Sequence, residues 1–226
     1  PMCVLMSTAN LLAREPTAKP NFIATDFLEI TKLNMPFHTL FFDSIVCNPP
    51  YSRHHELDPS YKKRMVKKMK EITGFKISRL SSSFLYFFIN TAQFLAKRGR
   101  MAFITPYETF EAFYSVPLKK FLSEKLALKA LILFDESEFA FPNVETAACI
   151  TLLEGAEGDR TSVKFVKLKR WPGVESLIDI VDRPDLSGTF SWGHVNVVPY
   201  SEIKAKAKWI IYANYGKPSI RSSLLV

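Results

Sequence analysis

Residues 41–51 read FFDSIVCNPPY, a mainly apolar run that stops at an asparagine followed by two prolines and a tyrosine. Short apolar runs that end in turn residues are typical of buried strands. Pro49 and Pro50 fix φ and lack N–H donors, so the chain forms a stiff turn whose carbonyl oxygens point outward. The sequence therefore predicts a strand over Phe41–Cys47 with a rigid, acceptor-rich turn at its carboxyl end.

Similar apolar runs alternate with helical patterns along the rest of the chain. The other predicted strands are Phe22–Asp26, Met101–Thr105, Leu128–Phe134, Thr146–Glu154 and Val163–Leu168. The predicted helices are Val4–Arg14, Pro59–Thr73, Ser82–Lys97 and Val116–Lys125, and a polar turn is expected at Lys97-Arg98-Gly99. Strands that are apolar on both sides and alternate with helices indicate an α/β fold, with a mostly parallel sheet and helices on both faces.

Composition limits the functional classes. The chain has 226 residues, 47% of them hydrophobic, which is enough for a large core and excludes a disordered tail. A formal net charge of +8 favours a polyanionic partner. Three sparse cysteines (Cys3, Cys47 and Cys149) indicate reduced thiols rather than a disulfide framework. The start shows no secretory signal, and Phe84–Leu95 is too short to span a bilayer, so we expect a soluble, cytoplasmic protein with no membrane partner.

The residues at the predicted strand ends suggest a binding site. Ligands of open α/β sheets bind beyond the carboxyl ends of the strands, so Asp26 and Asn48 are expected to face one crevice. Asn48 and Pro49 offer oxygen acceptors, and Tyr51 offers a flat aromatic face. This set suits a planar group that bears an NH₂. The competing interpretation is a purely structural proline turn after a buried strand.

Asn48-Pro49-Pro50-Tyr51 resembles the catalytic motif of amino-group methyltransferases that use S-adenosylmethionine. The resemblance is strongest to the DNA adenine-N6 methyltransferases of bacterial restriction–modification systems. It covers roughly residues 9–155 and includes three more segments. Thr25–Leu28 is similar to the segment that contacts the cofactor's adenine. Gly99–Pro106 is similar to the strand after the large helix. Phe139–Glu154 is similar to the aromatic loop and the last core strand. The resemblance implies a Rossmann-like methyltransferase sheet.

The resemblance also implies roles around the substrate. The side chain of Asn48 and the carbonyl of Pro49 accept hydrogen bonds from the N6 amino group, and Pro50 completes the catalytic motif. Tyr51 stacks on an adenine that has been flipped out of the duplex. Phe141 packs against the other side of the base, with Phe139 as the competing residue for that role.

On the cofactor side, the resemblance assigns S-adenosylmethionine binding to Asp26, Phe27 and Asn48. Asp26 accepts a hydrogen bond from the adenine amino group, and Phe27 lies beside it. A structural alternative for Asp26 is an acid that caps a local turn.

The family pattern is incomplete in this chain. The first of only eight glycines is Gly74, so the glycine-bearing loop that the family places before Asp26 is missing, as is an acid for the ribose. We expect a fragment that lacks the first two strands, with a partial catalytic domain over residues 1–158. Residues 159–226 are expected to form the connector and the start of the DNA target-recognition domain. Alone, such a fragment is expected to bind cofactor poorly and to be inactive.

The function implied is methyl transfer to N6 of adenine in double-stranded DNA, with a restriction endonuclease domain or subunit as a further partner and a place at the bacterial nucleoid. The basic run Lys62–Lys70 suits a DNA substrate. Two alternatives stay open. Protein glutamine-N5 methyltransferases, which modify release factors, share Asn-Pro-Pro-Tyr, and a non-catalytic DNA-binding subunit could keep the same fold.

Overall fold

A computed structural model describes residues 2–35, 40–51, 57–134 and 148–214 of the chain. The chain divides into two compact units, Pro1–Pro36 and Phe37–Val226. The first unit contains helix α1 (Met2–Arg14) and one short 3₁₀ helix, Phe27–Glu29. The strand predicted over Phe22–Asp26 is wrong, because these residues form an irregular segment in which the Phe22 ring is exposed. An apolar run of this length does not by itself distinguish a strand from a loop.

Within its described residues, the second unit contains the sheet and four longer helices. The helices are α2 (Pro59–Thr73), α3 (Ser83–Ala92), α4 (Val116–Glu124) and α5 (Val174–Asp182). The strands are β1 (Phe42–Cys47), β2 (Leu95–Pro106), β3 (Ala127–Phe134), β4 (Ala148–Glu154), β5 (Ser162–Leu168), β6 (Gly188–Phe190) and β7 (Gly193–Pro199). Short 3₁₀ helices occupy Tyr107–Phe110, Phe113–Ser115, Tyr200–Glu202 and Trp209–Ala213. All the predicted strands after residue 40 and all the predicted helices are therefore confirmed, with shifted ends.

The seven described strands form one mixed sheet in the order β1-β2-β4-β3-β5-β7-β6. β1 pairs with β2 in parallel and β3 pairs with β5 in parallel, whereas the other described pairings are antiparallel. The α/β class is confirmed, and most strands share one direction. The pairings are nevertheless mixed rather than mostly parallel, because β4 and β7 each run opposite to both of their neighbours in the sheet.

Helices cover both faces of the sheet, as predicted. On one face, Phe88 of α3 stacks on Phe103 of β2 with ring centroids 4.1 Å apart. On the other face, Ile180 of α5 packs with Ala130 and Ile132 of β3. Successive residues of a strand point to opposite faces, so this arrangement explains why the strands are apolar at nearly every position.

The start of β2 corrects one predicted turn. β2 begins at Leu95, so Lys97-Arg98-Gly99 lies inside the strand and α3 ends earlier than expected. These residues stay in the strand because the turn after β4 packs on them. The Gly155 N–H donates a hydrogen bond to the Gly99 carbonyl oxygen at 2.9 Å. The Lys97 ammonium and the Glu157 carboxylate add an ion pair at 2.8 Å.

The sheet continues past the domain boundary predicted at residue 158. β5 pairs with β3 and with β7, so residues 159–214 share a compact unit with β1–β4. The division into compact units falls between residues 36 and 37, and the functional boundary at residue 158 stays a prediction. That residues 159–226 begin a recognition domain stays a prediction.

Within the described ranges, no helix combines the length and the apolar character that crossing a bilayer requires.

Candidate functional site

The motif Asn48–Tyr51 lies at the carboxyl end of β1. The strand ends at Cys47, which is in register with Phe103 of the parallel neighbour β2. Asn48 and Pro50 are exposed, and Pro49 is buried. The motif therefore occupies the edge of the sheet where α/β proteins bind ligands, as the sequence predicts.

Tyr51 and Asn48 form a hydrogen-bonded pair. The Tyr51 hydroxyl donates to Asn48 Oδ1 at 2.8 Å and lies 3.5 Å from the Ile104 carbonyl oxygen of β2. An amide oxygen has two lone pairs, so Asn48 Oδ1 has the capacity to accept a second donor. The Tyr51 side chain keeps 37% of its surface exposed. The pair thus combines an exposed oxygen acceptor with an accessible aromatic ring.

The amino end of α3 holds this turn in place. Ser83, the first residue of α3, is buried, and its hydroxyl donates to the Pro50 carbonyl oxygen at 2.9 Å. The next residue, Phe84, meets the Tyr51 ring edge to face at 6.5 Å and 85°. Sequence reasoning missed both residues. The serine run at positions 81–83, at the start of an apolar helix, is the sequence feature from which a polar contact by Ser83 could have been expected.

Burial sets the protonation state of the groups beneath the motif. It raises the pKa of Tyr51 to about 12, and the nearby thiols of Cys47 and Cys149 act in the same direction. Burial also raises the pKa of Cys47 and the pKa of Cys149. At neutral pH, therefore, Tyr51 is a hydrogen-bond donor and both cysteines are protonated thiols, which are poor nucleophiles.

Asp26 and Phe27 lie in the first compact unit. The Asp26 Oδ1 atom accepts a hydrogen bond from the backbone N–H of Leu28 at 2.9 Å and caps the 3₁₀ helix Phe27–Glu29. Asp26 is exposed, and Phe27 is half-buried. Asp26 therefore does cap a local turn, as the structural alternative expected, and this accounts for one contact of its carboxylate. Cofactor binding by Asp26 and Phe27 stays a prediction.

Phe141 and its competitor Phe139 lie outside the described residues, so their contact with a base also stays a prediction.

The basic run after the motif forms one solvent face of α2. Asp58 caps the amino end of the helix, and its carboxylate accepts hydrogen bonds from the Ser60 and Tyr61 N–H groups at 2.9 Å. Met65 and Met69 form its buried face. The lysines of this run lie largely toward solvent, where they add positive charge on the chain segment that follows Tyr51.

Comparison with known proteins places these residues in a family context. Residues 9–141 match the profile of the Eco57I restriction-modification methylase family. Type II methyltransferase M.XamI of Xanthomonas campestris pv. amaranthicola is 28% identical over 99% of this chain and 38% of its own length. M.AccI of Acinetobacter calcoaceticus is 24% identical over 76% of this chain and 30% of its own length. The Escherichia coli restriction enzyme and methyltransferase RM.Eco57I is 31% identical over 58% of this chain and 13% of its own length.

The chain therefore spans less than two-fifths of the length of these curated relatives.

Solved structures share its fold at low sequence identity. The methyltransferase subunit of a type I restriction-modification system from Streptococcus thermophilus has a TM-score of 0.61 at 15% identity, over 84% of this chain and 41% of its own. The type IIG restriction endonuclease BpuSI has a TM-score of 0.60 at 13% identity, over 82% of this chain and 22% of its own.

The fold and the position of the motif both agree with the family match. The sheet has the Rossmann-like architecture of restriction-modification methyltransferases, with Asn48–Tyr51 at the carboxyl edge of its strands. The profile match over residues 9–141 covers more than half of the chain and includes both Asp26 and Asn48–Tyr51. The chain therefore belongs to the Eco57I restriction-modification methylase family.

Proposed function

We propose that this chain carries the methyl-transfer site of a DNA methyltransferase that modifies N6 of adenine in double-stranded DNA, with S-adenosylmethionine as the methyl donor. The observation that carries the proposal is the Asn48–Tyr51 pair. An exposed amide oxygen, fixed at 2.8 Å by a tyrosine hydroxyl, follows directly after a strand in a family of methylases. Few other functions require this combination of acceptor and stacking ring at a strand end.

In the proposed reaction, the oxygens of Asn48 and Pro49 accept hydrogen bonds from the two N–H groups of the adenine amino group. These bonds draw the nitrogen lone pair out of conjugation with the ring, which makes the nitrogen a better nucleophile. Tyr51 stacks on the base, which must leave the duplex to reach the site. The Tyr51 hydroxyl then shares Asn48 Oδ1 with the substrate N–H.

The chain needs no general base for this chemistry. Bound S-adenosylmethionine supplies an electrophilic methyl group. The amino nitrogen would form the new bond to the methyl carbon as the carbon–sulfur bond of the donor breaks, which leaves a neutral thioether, and it would release one proton to solvent only after that bond has formed. The raised pKa values of Cys47 and Cys149 argue against a covalent intermediate on either thiol.

The residues present fit one half of the cofactor. The exposed carboxylate of Asp26 would accept a hydrogen bond from the adenine amino group, and the half-buried ring of Phe27 would pack on the π face of the adenine. For the methionine half, the first glycine is Gly74, so residues before Asp26 supply no glycine loop. We therefore assign Asp26 and Phe27 to the adenine and assign Asn48 to the reacting end.

The partners follow from the same proposal. They are double-stranded DNA and a restriction endonuclease domain or subunit, by analogy with the combined restriction enzyme and methyltransferase among the relatives. The cytoplasm, at the nucleoid, is the location that such partners require.

A labelled-methyl assay tests the proposal. A protein that contains this chain is incubated with S-adenosylmethionine labelled on its methyl group, and with duplex DNA or a release factor. We expect label in DNA alone, recovered as N6-methyladenine after digestion to nucleosides. Label in the release factor would establish the glutamine-N5 alternative, and DNA binding without any transfer would establish a non-catalytic subunit.

A further inference from the structure

A cleft of about 1170 Å³ separates α4 from the segment Tyr200–Ile211. Its lining surface is largely apolar, with Phe113 and Ile203 among the lining residues. Its charged lining residues are Lys120, Lys204, Lys206, Lys208 and Glu124. Four ammonium groups against one carboxylate make this cleft, which we call the lysine cleft, strongly positive.

The loop that carries three of these lysines is fixed by buried contacts. The Trp209 indole N–H donates to the Lys204 carbonyl oxygen at 3.0 Å, and the Lys204 N–H donates to the Tyr212 hydroxyl at 3.1 Å. Trp209 is fully buried and stacks on Phe110 at 5.4 Å. Because the backbone is already ordered, placing the three exposed ammonium groups costs little further backbone entropy on binding.

A buried cation reinforces the loop from below. Lys119 of α4 is only 1% exposed, and its ammonium donates to the Ala207 carbonyl oxygen at 2.7 Å and to the Phe110 carbonyl oxygen at 3.3 Å. Burial lowers the pKa of Lys119 to about 8, so this group still carries most of its charge at neutral pH. Lys119 therefore adds positive potential beneath the lysine cleft.

The topology links the lysine cleft to the edge of the sheet that holds Asn48–Tyr51. β1 and β2 are parallel, so both strands end at that edge. β2 ends at Pro106, and the 3₁₀ turns that follow lead along the chain to Phe113 and Val116, which line the cleft. The chain that leaves this edge at the end of β2 therefore supplies part of the wall of the lysine cleft.

We propose that the lysine cleft binds the phosphate backbone of DNA and provides a sequence-independent anchor for the duplex. This inference rests on the proposed function. Lys204, Lys206 and Lys208 are the phosphate ligands, and Lys120 of α4 lines the same cleft. The Lys120 ammonium also lies 5.6 Å from the centroid of the Phe75 ring.

Salt dependence of DNA binding tests the anchor. In the variant Lys204→Gln, Lys206→Gln, Lys208→Gln, duplex binding is measured by fluorescence anisotropy, without cofactor, from about 50 to 200 mM salt. The logarithm of the DNA association constant falls with the logarithm of the salt concentration, and each lost phosphate contact reduces the steepness of that fall by about 0.9. We therefore expect the slope of the variant to be shallower by about 2.7 and its affinity at low salt to be at least about tenfold weaker. Because the three side chains are exposed, the thermal unfolding midpoint is expected to stay at the wild-type value.

The matched control removes three exposed lysines outside the cleft: Lys19→Gln, Lys32→Gln, Lys169→Gln. It has the same net charge as the cleft variant, and we expect it to keep a slope close to that of the wild type. A wild-type slope in the cleft variant, or equal losses in both variants, would overturn the anchor and leave the proposed function standing. A wild-type protein that binds no duplex would overturn the inference and the proposed DNA substrate together.

Discussion

Tyr51 contributes two separable parts, a ring that is partly exposed and a hydroxyl that donates to Asn48 Oδ1 at 2.8 Å. Tyr51→Phe removes only the hydroxyl, so we expect methyl transfer to slow about tenfold, the equivalent of one lost hydrogen bond, with base stacking kept. Tyr51→Ala also removes the ring and is expected to cost about 1–3 kcal/mol of base stacking. Single-turnover rates and DNA dissociation constants separate the two effects.

The pKa of Tyr51, raised to about 12 by burial, adds a pH signature to this comparison. The hydroxyl stays protonated from neutral to moderately alkaline pH, so the ratio of wild-type to Tyr51→Phe rates is expected to be flat across that range. A ratio that falls toward one as the pH rises from 7 to 9 would show that the hydroxyl does not act as a permanent donor.

Ser83 is a positioning residue for the turn that carries the motif. Its buried hydroxyl holds the Pro50 carbonyl oxygen at 2.9 Å. We expect Ser83→Ala to lower the rate of methyl transfer several-fold and to leave the KM for DNA nearly unchanged, whereas Ser83→Thr, which keeps a hydroxyl, restores part of the rate. Equal rates in the Ala and Thr variants would show that packing, and not this hydrogen bond, is what Ser83 contributes.

At the scale of the elements, the turn between β4 and β5 locks the start of β2. A Cβ atom at Gly155 would overlap the backbone carbonyl oxygens of Ala96 and Lys97, whereas one at Gly74 would meet nothing within 4 Å. We expect Gly155→Ala to lower the free energy of unfolding by about 3 kcal/mol. Gly74→Ala, at φ 77°, serves as control and is expected to cost about 1 kcal/mol of backbone strain. Urea denaturation measures both, and equal losses would contradict the docked turn.

The elements that sequence predicted well are those whose signals are local. The apolar run before Asn48 gave β1, and Gly74, in a left-handed conformation, ends α2 as predicted. The failures come from contacts distant in sequence. Lys97-Arg98-Gly99 looks like a turn because its partner, Gly155, lies more than fifty residues away. The direction of β4 is not encoded in its own residues, and the run Phe22–Asp26 shows that apolar character alone does not make a strand.

For the candidate site, residue chemistry predicted Asn48–Tyr51, but it could not supply the residues that contact this motif in the fold. Ser83 contacts Pro50 across thirty-three positions, and only the fold brings the two together. The lysines of residues 204–208 can be read directly from the sequence. The cleft that they line cannot, because the loop is held by contacts of Lys119 and Trp209 that form only in the folded chain.

For the whole molecule, Lys119 links stability to pH. Its pKa is about 8 in the folded chain and 10.5 for an ordinary lysine. Between these values the folded chain binds fewer protons than the unfolded chain, so the free energy of unfolding contributed by this group rises with pH. Lys119→Met lacks the titration, and we expect the wild type to gain stability relative to this variant as the pH rises from about 8 to 10. Urea denaturation at several pH values measures the difference, and a constant difference would contradict a buried, titrating lysine.

In the proposed reaction, the Asn48 side-chain oxygen accepts a hydrogen bond from the amino group that receives the methyl group. The direct measurement compares Asn48→Ala with Asn10→Ala, a change at an exposed asparagine of α1, in a protein that contains this chain. We predict that Asn48→Ala abolishes N6-methyladenine formation and keeps DNA affinity within about twofold of the wild type, because one hydrogen bond to the substrate is a small part of duplex binding. Asn10→Ala keeps both. Methyl transfer by Asn48→Ala at the wild-type rate would contradict the account.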